Sequence, residues 1–88
     1  MRLLLLISPL ILLACAGAGP DPVVIARQEA ACRSVIADHI RRPEAEVAVR
    51  RLSEVGGIAT IEAVDGNRRH TCAVDATGRV LSYDHPDA

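Results

Sequence analysis

The sequence has 88 residues, 50% of them hydrophobic and 1% aromatic, and its 10 basic and 11 acidic residues give a formal charge of −1. A chain of this length has room for one small domain at most. With no basic excess and almost no aromatic side chains for base stacking, the composition argues against a nucleic-acid partner.

The N-terminal segment is typical of an export signal. One positive charge at Arg2 precedes a leucine-rich apolar run over residues 3–13, and this order predicts a signal peptide over residues 1–14. As a helix, the run would span roughly 17 Å, against about 30 Å for the hydrocarbon core of a bilayer. We therefore do not expect it to be a conventional membrane span.

The apolar run ends in Leu12-Leu13-Ala14-Cys15, which resembles the lipobox of bacterial lipoproteins. The resemblance implies cleavage after Ala14 and acylation of Cys15, which becomes the new N-terminus. Two or three acyl chains hold a protein stably at a membrane. Cys15 is followed by Ala16 and not by the Asp that favours inner-membrane retention in enterobacterial lipoproteins, so the resemblance favours the outer membrane, with the domain facing the periplasm.

Ordinary secretory cleavage is the alternative. The small residues Ala16-Gly17-Ala18 also fit a cleavage site. In that case Cys15 is removed with the signal, and a soluble periplasmic product begins at Gly19.

Lipidation of Cys15 also predicts the state of the other two cysteines. Cys32 and Cys72 then form an even pair in an oxidising compartment, so we expect one disulfide between them. In the chain-entropy model a bridge that closes about 40 residues stabilises a fold by roughly 4 kcal/mol. That is comparable to the stability that a core of this size supplies.

A weaker alternative assigns the same two cysteines to a metal. Cys32, Cys72, His39 and His70 are residue types that suit tetrahedral zinc. The sequence nevertheless lacks the closely paired cysteine or histidine spacing that is typical of zinc sites, and exported thiols are usually oxidised. We expect no metal and no cofactor.

The mature chain begins with a short tether and an amphipathic helix. Residues 15–21 are predicted to be the lipidated cysteine and a flexible tether, residues 22–85 a small domain, and residues 86–88 a tail. Asp21-Pro22 is typical of a helix start. Apolar residues then recur at spacings of three and four as far as Ile40. The helix is expected to stop near Arg41, because Pro43 disfavours helical geometry at the residue before it.

After the helix, the apolar period changes to two, which predicts strands. The predicted strands lie around residues 47–50, 59–63, 69–74 and 79–83, and the turns at 56–57, 65–67 and 75–78. The expected fold is therefore α+β: one N-terminal amphipathic helix packed on a three- or four-stranded antiparallel meander and stapled by one disulfide.

The closing segment over residues 74–81, Val-Asp-Ala-Thr-Gly-Arg-Val-Leu, resembles the last hairpin of PepSY domains, which are small extracytoplasmic modules with one helix and an antiparallel sheet. The resemblance implies a non-catalytic binding or inhibitor-like module that acts on an envelope enzyme or its peptide. The layout is also similar to small outer-membrane lipoproteins of the BamE type, which implies a structural accessory role in outer-membrane assembly or envelope integrity.

Arginine pairs and one tyrosine supply the candidate interaction surface. The pairs Arg50-Arg51 and Arg68-Arg69 could contact an acidic partner, although such residues more often solvate the outer face of a sheet. Tyr83, the sole aromatic residue, is expected to cap the core and is the candidate interface anchor. No serine lies in a recognisable nucleophile motif, so the sequence does not predict an enzyme.

Overall fold

The computed structural model describes residues 20–84, so the predicted signal peptide, Cys15 with most of the predicted tether, and residues 85–88, which include the predicted tail, lie outside the described residues. The helix lies across one face of a four-stranded sheet, which confirms the α+β prediction. The elements in chain order are α1 (Pro22–Ile40), a 3₁₀ turn (Glu44–Glu46), β1 (Ala48–Val55), β2 (Ile58–Asp65), β3 (Arg68–Val74) and β4 (Val80–Asp84).

The start of α1 is fixed by local chemistry. The Asp21 carboxylate accepts a hydrogen bond from the Val23 backbone N–H at 2.8 Å, and Pro22 occupies the first helical position. The cap pairs one of the free N–H groups of the first turn, and proline has no N–H that needs a partner there. The predicted start is confirmed.

The end of α1 is a Schellman turn built on an arginine. Arg41 adopts a left-handed backbone conformation (φ 61°), and its N–H and that of Arg42 bond to the carbonyls of Asp38 and Ala37 at 3.3 and 3.0 Å. Glycine usually occupies this position, because a side chain there costs about 1 kcal/mol. The predicted stop near Arg41 is confirmed, although its left-handed conformation was not predicted.

The four strands form an antiparallel meander in the order β1-β2-β3-β4. Directly opposed residues of neighbouring strands point to the same face. One such row crosses all four strands on the face that α1 covers: Arg51, Ile61, Cys72 and Tyr83. The adjacent row lies on the open face: Arg50, Glu62, Thr71 and Asp84.

The core between α1 and the sheet is thin. Its largest hydrophobic side chains are Ile36 and Ile61, both 0% exposed. The buried hydrophobic residues of the described chain are Cys32, Ile36, Ala37, Val47, Ala59, Ile61, Ala63, Cys72 and Val74. Because three of these are alanines and none is aromatic, the area of apolar surface removed from water is small for a domain of this length.

A disulfide joins Cys32 of α1 to Cys72 of β3, as the cysteine count predicted, with a Cα–Cα distance of 5.8 Å. Both residues are 0% exposed. The bridge links positions separated by 40 residues, and it therefore restricts most of the domain in the unfolded state.

The turn between β3 and β4 is organised by Asp75. Its Oδ1 accepts hydrogen bonds from Thr77 Oγ1 at 2.7 Å and from the backbone N–H groups of Thr77 and Arg79, both at 2.9 Å. The Thr77 hydroxyl, followed by the Arg79 N–H, lowers the pKa of Asp75 below its ordinary value. The turn packs on α1, because a Cβ at Gly78 (φ 90°) would lie 2.7 Å from Arg27 Cγ.

We expect Cys32→Ser and Cys72→Ser to lower the free energy of unfolding by similar amounts, about 4 kcal/mol in the chain-entropy model. The double variant should be no less stable than either single variant, because all three lose the same bond. Urea denaturation of the three variants measures this, with Ser34→Ala on the exposed side of α1 as a control. Additive losses in the double variant would contradict a shared bridge.

We expect the stabilising effect of Asp75 to depend on pH. Because folding lowers its pKa, its contribution is complete above the pKa of the unfolded carboxyl and is lost as the pH falls through the folded pKa. Wild type should therefore be more stable than Asp75→Asn at pH 7, and the difference should shrink below about pH 4. An equal difference in unfolding midpoint at pH 7 and pH 3 would contradict this assignment.

Candidate functional site

The arginines of the predicted interaction surface do not lie on one face. Arg50 and Arg69 lie on the open face on either side of Glu62 of β2, at 3.2 Å from Arg50 Nη2 and 3.8 Å from Arg69 Nε. The two arginine side chains are 71% and 74% exposed, and ion pairs this accessible contribute about 1 kcal/mol or less. Together the three residues form a solvated charge network across three strands.

The other three residues of that predicted surface lie elsewhere. Arg51 is opposite Ile61 on the face that α1 covers. Arg68 is exposed at the start of β3, beside the turn from β2. Tyr83 packs edge-on against His39 of α1, with ring centroids 5.4 Å apart, and stays 40% exposed. The tyrosine ring therefore lies at the rim of the helix–sheet interface.

The four residues of the zinc alternative have different surroundings in the structure. Cys32 and Cys72 are joined in the disulfide. His70 is 1% exposed on the covered face of β3, and His39 is exposed near the end of α1. Over residues 20–84, no three His, Cys, Asp or Glu residues are grouped so that they could hold a metal ion.

A shallow cleft of about 350 Å³ opens between the first turns of α1, the end of β1 and the turn after β3. Its lining includes Asp21, Val24 and Gln28 from the helix side and Arg51 and Glu54 from β1. Ligand pockets in proteins range from about 300 to 1,000 Å³, so this cleft has room for a small group or a short segment of chain.

Gln28, one of the residues that line this cleft, has an unpaired buried acceptor. The side chain is 1% exposed, and its Nε2 donates to the Val74 carbonyl at 3.2 Å. A carbonyl can only accept a hydrogen bond, so this contact fixes which end of the amide is nitrogen. The other end, Oε1, is buried and has no hydrogen-bond partner among the described residues. A buried acceptor without a partner costs about 1–3 kcal/mol.

Arg51, another lining residue, has an unpaired buried donor. Its Nε is buried without a hydrogen-bond partner in residues 20–84. The carboxylates of the cleft are engaged with the backbone: Asp21 caps Val23, and Glu54 accepts from the Gly57 N–H at 2.6 Å. Two residues that line the cleft therefore carry one buried donor and one buried acceptor that the described chain does not satisfy.

Gln28 was not predicted as a site residue, although the sequence carries a signal for its burial. Gln28, Cys32 and Ile36 follow one another at intervals of four residues, which places them on one face of a helix. The inward orientation of Arg51 had a signal too, because the residue lies two positions after Val49 in the alternating run. Val49 and Arg51 therefore share the covered face, and the register shift at Leu52 comes only after them.

Comparison with protein-family models, with curated proteins and with solved structures finds no match to this chain. Over residues 20–84, no helix combines the length and apolarity needed to cross a membrane. The chemistry of the cleft therefore has to be inferred from its own geometry.

We expect Arg51→Met to leave the free energy of unfolding unchanged or to raise it by up to about 1 kcal/mol, because the buried Nε makes no hydrogen bond that stabilises the fold. Arg33→Met is the matched variant. It loses a bond from Arg33 Nε to the Val47 carbonyl at 3.2 Å and should cost about 1 kcal/mol. Urea denaturation measures both, and a larger loss for Arg51→Met than for Arg33→Met would contradict the unpaired donor.

Proposed function

We propose that this protein is an exported bacterial envelope lipoprotein whose folded domain binds a partner and catalyses no reaction. The observation that carries the proposal is the buried Cys32–Cys72 disulfide. Disulfides persist in oxidising compartments such as the periplasm and are rare in the cytosol. The bridge therefore supports the export that the N-terminal apolar run predicts.

The same bridge supports lipid attachment. The sequence has three cysteines, and pairing of two leaves Cys15, which directly follows Leu12-Leu13-Ala14. An acylated Cys15 would hold the domain at the membrane, with the outer membrane favoured, and the few residues between Cys15 and α1 would serve as its tether.

A binding role is supported by the reactive side chains of the described domain, several of which are engaged in structural contacts. The two described cysteines are bonded to each other, and the carboxylates of Asp21, Glu54 and Asp75 hold backbone N–H groups at a helix end and two turns. Groups engaged in this way are not poised as nucleophiles or bases. We therefore propose an inhibitor-like module acting on an envelope enzyme or its peptide, in line with the resemblance to PepSY domains.

We expect the protein isolated from membranes to begin at Cys15 and to carry acyl groups on that residue. Intact-mass measurement detects both features, and Cys15→Ala provides the control, because it should yield an unacylated protein in the soluble periplasmic fraction. A wild-type mature form that begins at Gly19 would contradict the lipoprotein proposal.

The binding half of the proposal is tested by photo-crosslinking in cells. A crosslinking residue replaces Val24 in the cleft or Thr71 on the open face of the sheet. Capture of an envelope peptidase supports the inhibitor-like role, whereas capture of an outer-membrane assembly complex supports the structural accessory role instead. Absence of any crosslinked product from both faces would contradict a binding function.

A further inference from the structure

We propose that the tip of the β1–β2 hairpin, which consists of Val55, Gly56, Gly57 and Ile58, inserts into the interfacial layer of the membrane that holds the lipid anchor. This inference rests on the proposed lipoprotein function and adds to it a second membrane contact, made by the folded domain itself. The two apolar side chains of the tip would lie between the phospholipid headgroups.

The tip projects from the domain and exposes its apolar side chains. Val55 is 77% exposed and Ile58 is 38% exposed, and the two residues are directly opposed across the hairpin. Gly56 and Gly57 form the turn between them, and a Cβ at either glycine would meet no atom within 4 Å beyond its chain neighbours. No part of the domain over residues 20–84 therefore covers the turn.

The turn at the other end of β2 has the opposite character. It consists of Asp65-Gly66-Asn67-Arg68, which are polar residues of the kind that hairpin turns usually contain. The β1–β2 turn replaces the polar flanking residues with valine and isoleucine. The two ends of β2 therefore differ in chemistry, and the apolar end is the unusual one.

The open face beside the tip carries no charge over its first two cross-strand rows. Val55 and Ile58 form the first row. The second row consists of small or neutral residues: Ser53, Thr60, Ala73 and Ser82. Charged side chains begin in the third row, with Arg50 and Glu62. Because moving a charge out of water is costly, the first two rows are the part of this face best suited to contact lipid.

The acidic residue next to the tip points away from this contact. Glu54 is opposite Ala59 on the covered face, and its carboxylate accepts a hydrogen bond from the Gly57 N–H at 2.6 Å. Side chains alternate along a strand, so Glu54 and Val55 lie on opposite sides of the hairpin. The tip can therefore enter the headgroup layer with its apolar side leading while Glu54 stays hydrated.

The tether ends beside the tip. Pro20, the first described residue, lines the same cleft as Glu54 and Gly57. The chain from Cys15 to Pro20 reaches about 17 Å at most, at 3.4 Å per residue. An acylated Cys15 therefore holds the hairpin tip near the bilayer surface. The polar turn over residues 65–68 lies roughly 23 Å away along β2, at about 3.3 Å per residue.

The tether makes a weak apolar contact effective. Two partly exposed apolar side chains bury little area, but the anchor makes their insertion an intramolecular event with a high effective concentration. The tip contains no basic residue, so the contact does not depend on anionic lipid. We expect it to form on a neutral bilayer and to be insensitive to salt, unlike the contact of a polybasic segment.

The test uses the mature acylated protein, oxidised, in phosphatidylcholine nanodiscs that contain a lipid with a nitroxide near its headgroup. NMR then measures the paramagnetic relaxation enhancement of the backbone amides. Gly56 and Gly57 report on the tip, and Gly66 reports on the turn at the other end of β2. We expect strong enhancement at Gly56 and Gly57 and weak enhancement at Gly66, with no change when the salt concentration is raised.

Matched variants assign the contact to the apolar side chains. Val55→Thr combined with Ile58→Thr should lower the enhancement at the tip about 10-fold, because the contact loses apolar burial. Threonine keeps the branched shape that suits a strand. Val64→Thr makes the same exchange on the open face near the other end of β2 and should leave the enhancement unchanged. Urea denaturation verifies that the variants fold.

Four results would overturn the inference. They are equal enhancement at the three glycines, equal enhancement in wild type and the double threonine variant, loss of the contact at high salt, and concentration-dependent shifts of the tip amides in the soluble Cys15→Ala variant. The last would mean that the tip binds a second copy of the chain.

The intact mass of the same sample separates this inference from the proposed function. Any of the four results in an acylated protein would overturn the inference and leave the lipoprotein proposal standing. A protein without acyl groups would overturn the lipoprotein proposal, and the inference would fall with it.

Discussion

The disulfide between α1 and β3 is the constraint on which the rest of this domain depends. It lies in a core whose largest hydrophobic side chains are two isoleucines and whose other buried hydrophobic residues are valines, alanines and the cysteines themselves. Closing a loop of 40 residues stabilises a fold by about 4 kcal/mol through the entropy of the unfolded chain. A core this small supplies about as much. The domain therefore depends on the bridge for a large share of its stability, and disulfides persist in oxidising compartments.

The bridge also determines the geometry of the cleft. Gln28 lies one helical turn before Cys32 in α1, and Arg51 lies in the same cross-strand row as Cys72. Joining the two cysteines therefore fixes the position of the helix on the sheet that brings Gln28 and Arg51 to one cleft. Two buried polar atoms without partners would cost about 1–3 kcal/mol each, and a fold with so little apolar burial tolerates them because the bridge offsets that cost.

Much of the fold could be predicted from local signals in the sequence. Asp21 and Pro22 start the helix, the alternation around Ile61 and Cys72 defines two strands, and the pair of cysteines that remains under the lipobox prediction implies the bridge. Features set by long-range pairing could not be predicted in this way. Which face of β1 is covered, and hence the inward orientation of Arg51, depends on the pairing of β1 with β2, and the burial of Gln28 depends on where the helix crosses the sheet. Adjacent arginines such as Arg50 and Arg51 look equivalent in sequence, yet they lie on opposite faces because side chains alternate along a strand.

Amide hydrogen exchange of the full wild-type chain, measured before and after reduction, shows whether one disulfide holds the helix on the sheet. We expect reduction to remove protection from α1 and from β3 to a similar extent, because the two elements form one cooperative unit. Reoxidation should restore this protection. Unchanged protection of both elements in the reduced protein would mean that the core holds the helix on the sheet without the bridge.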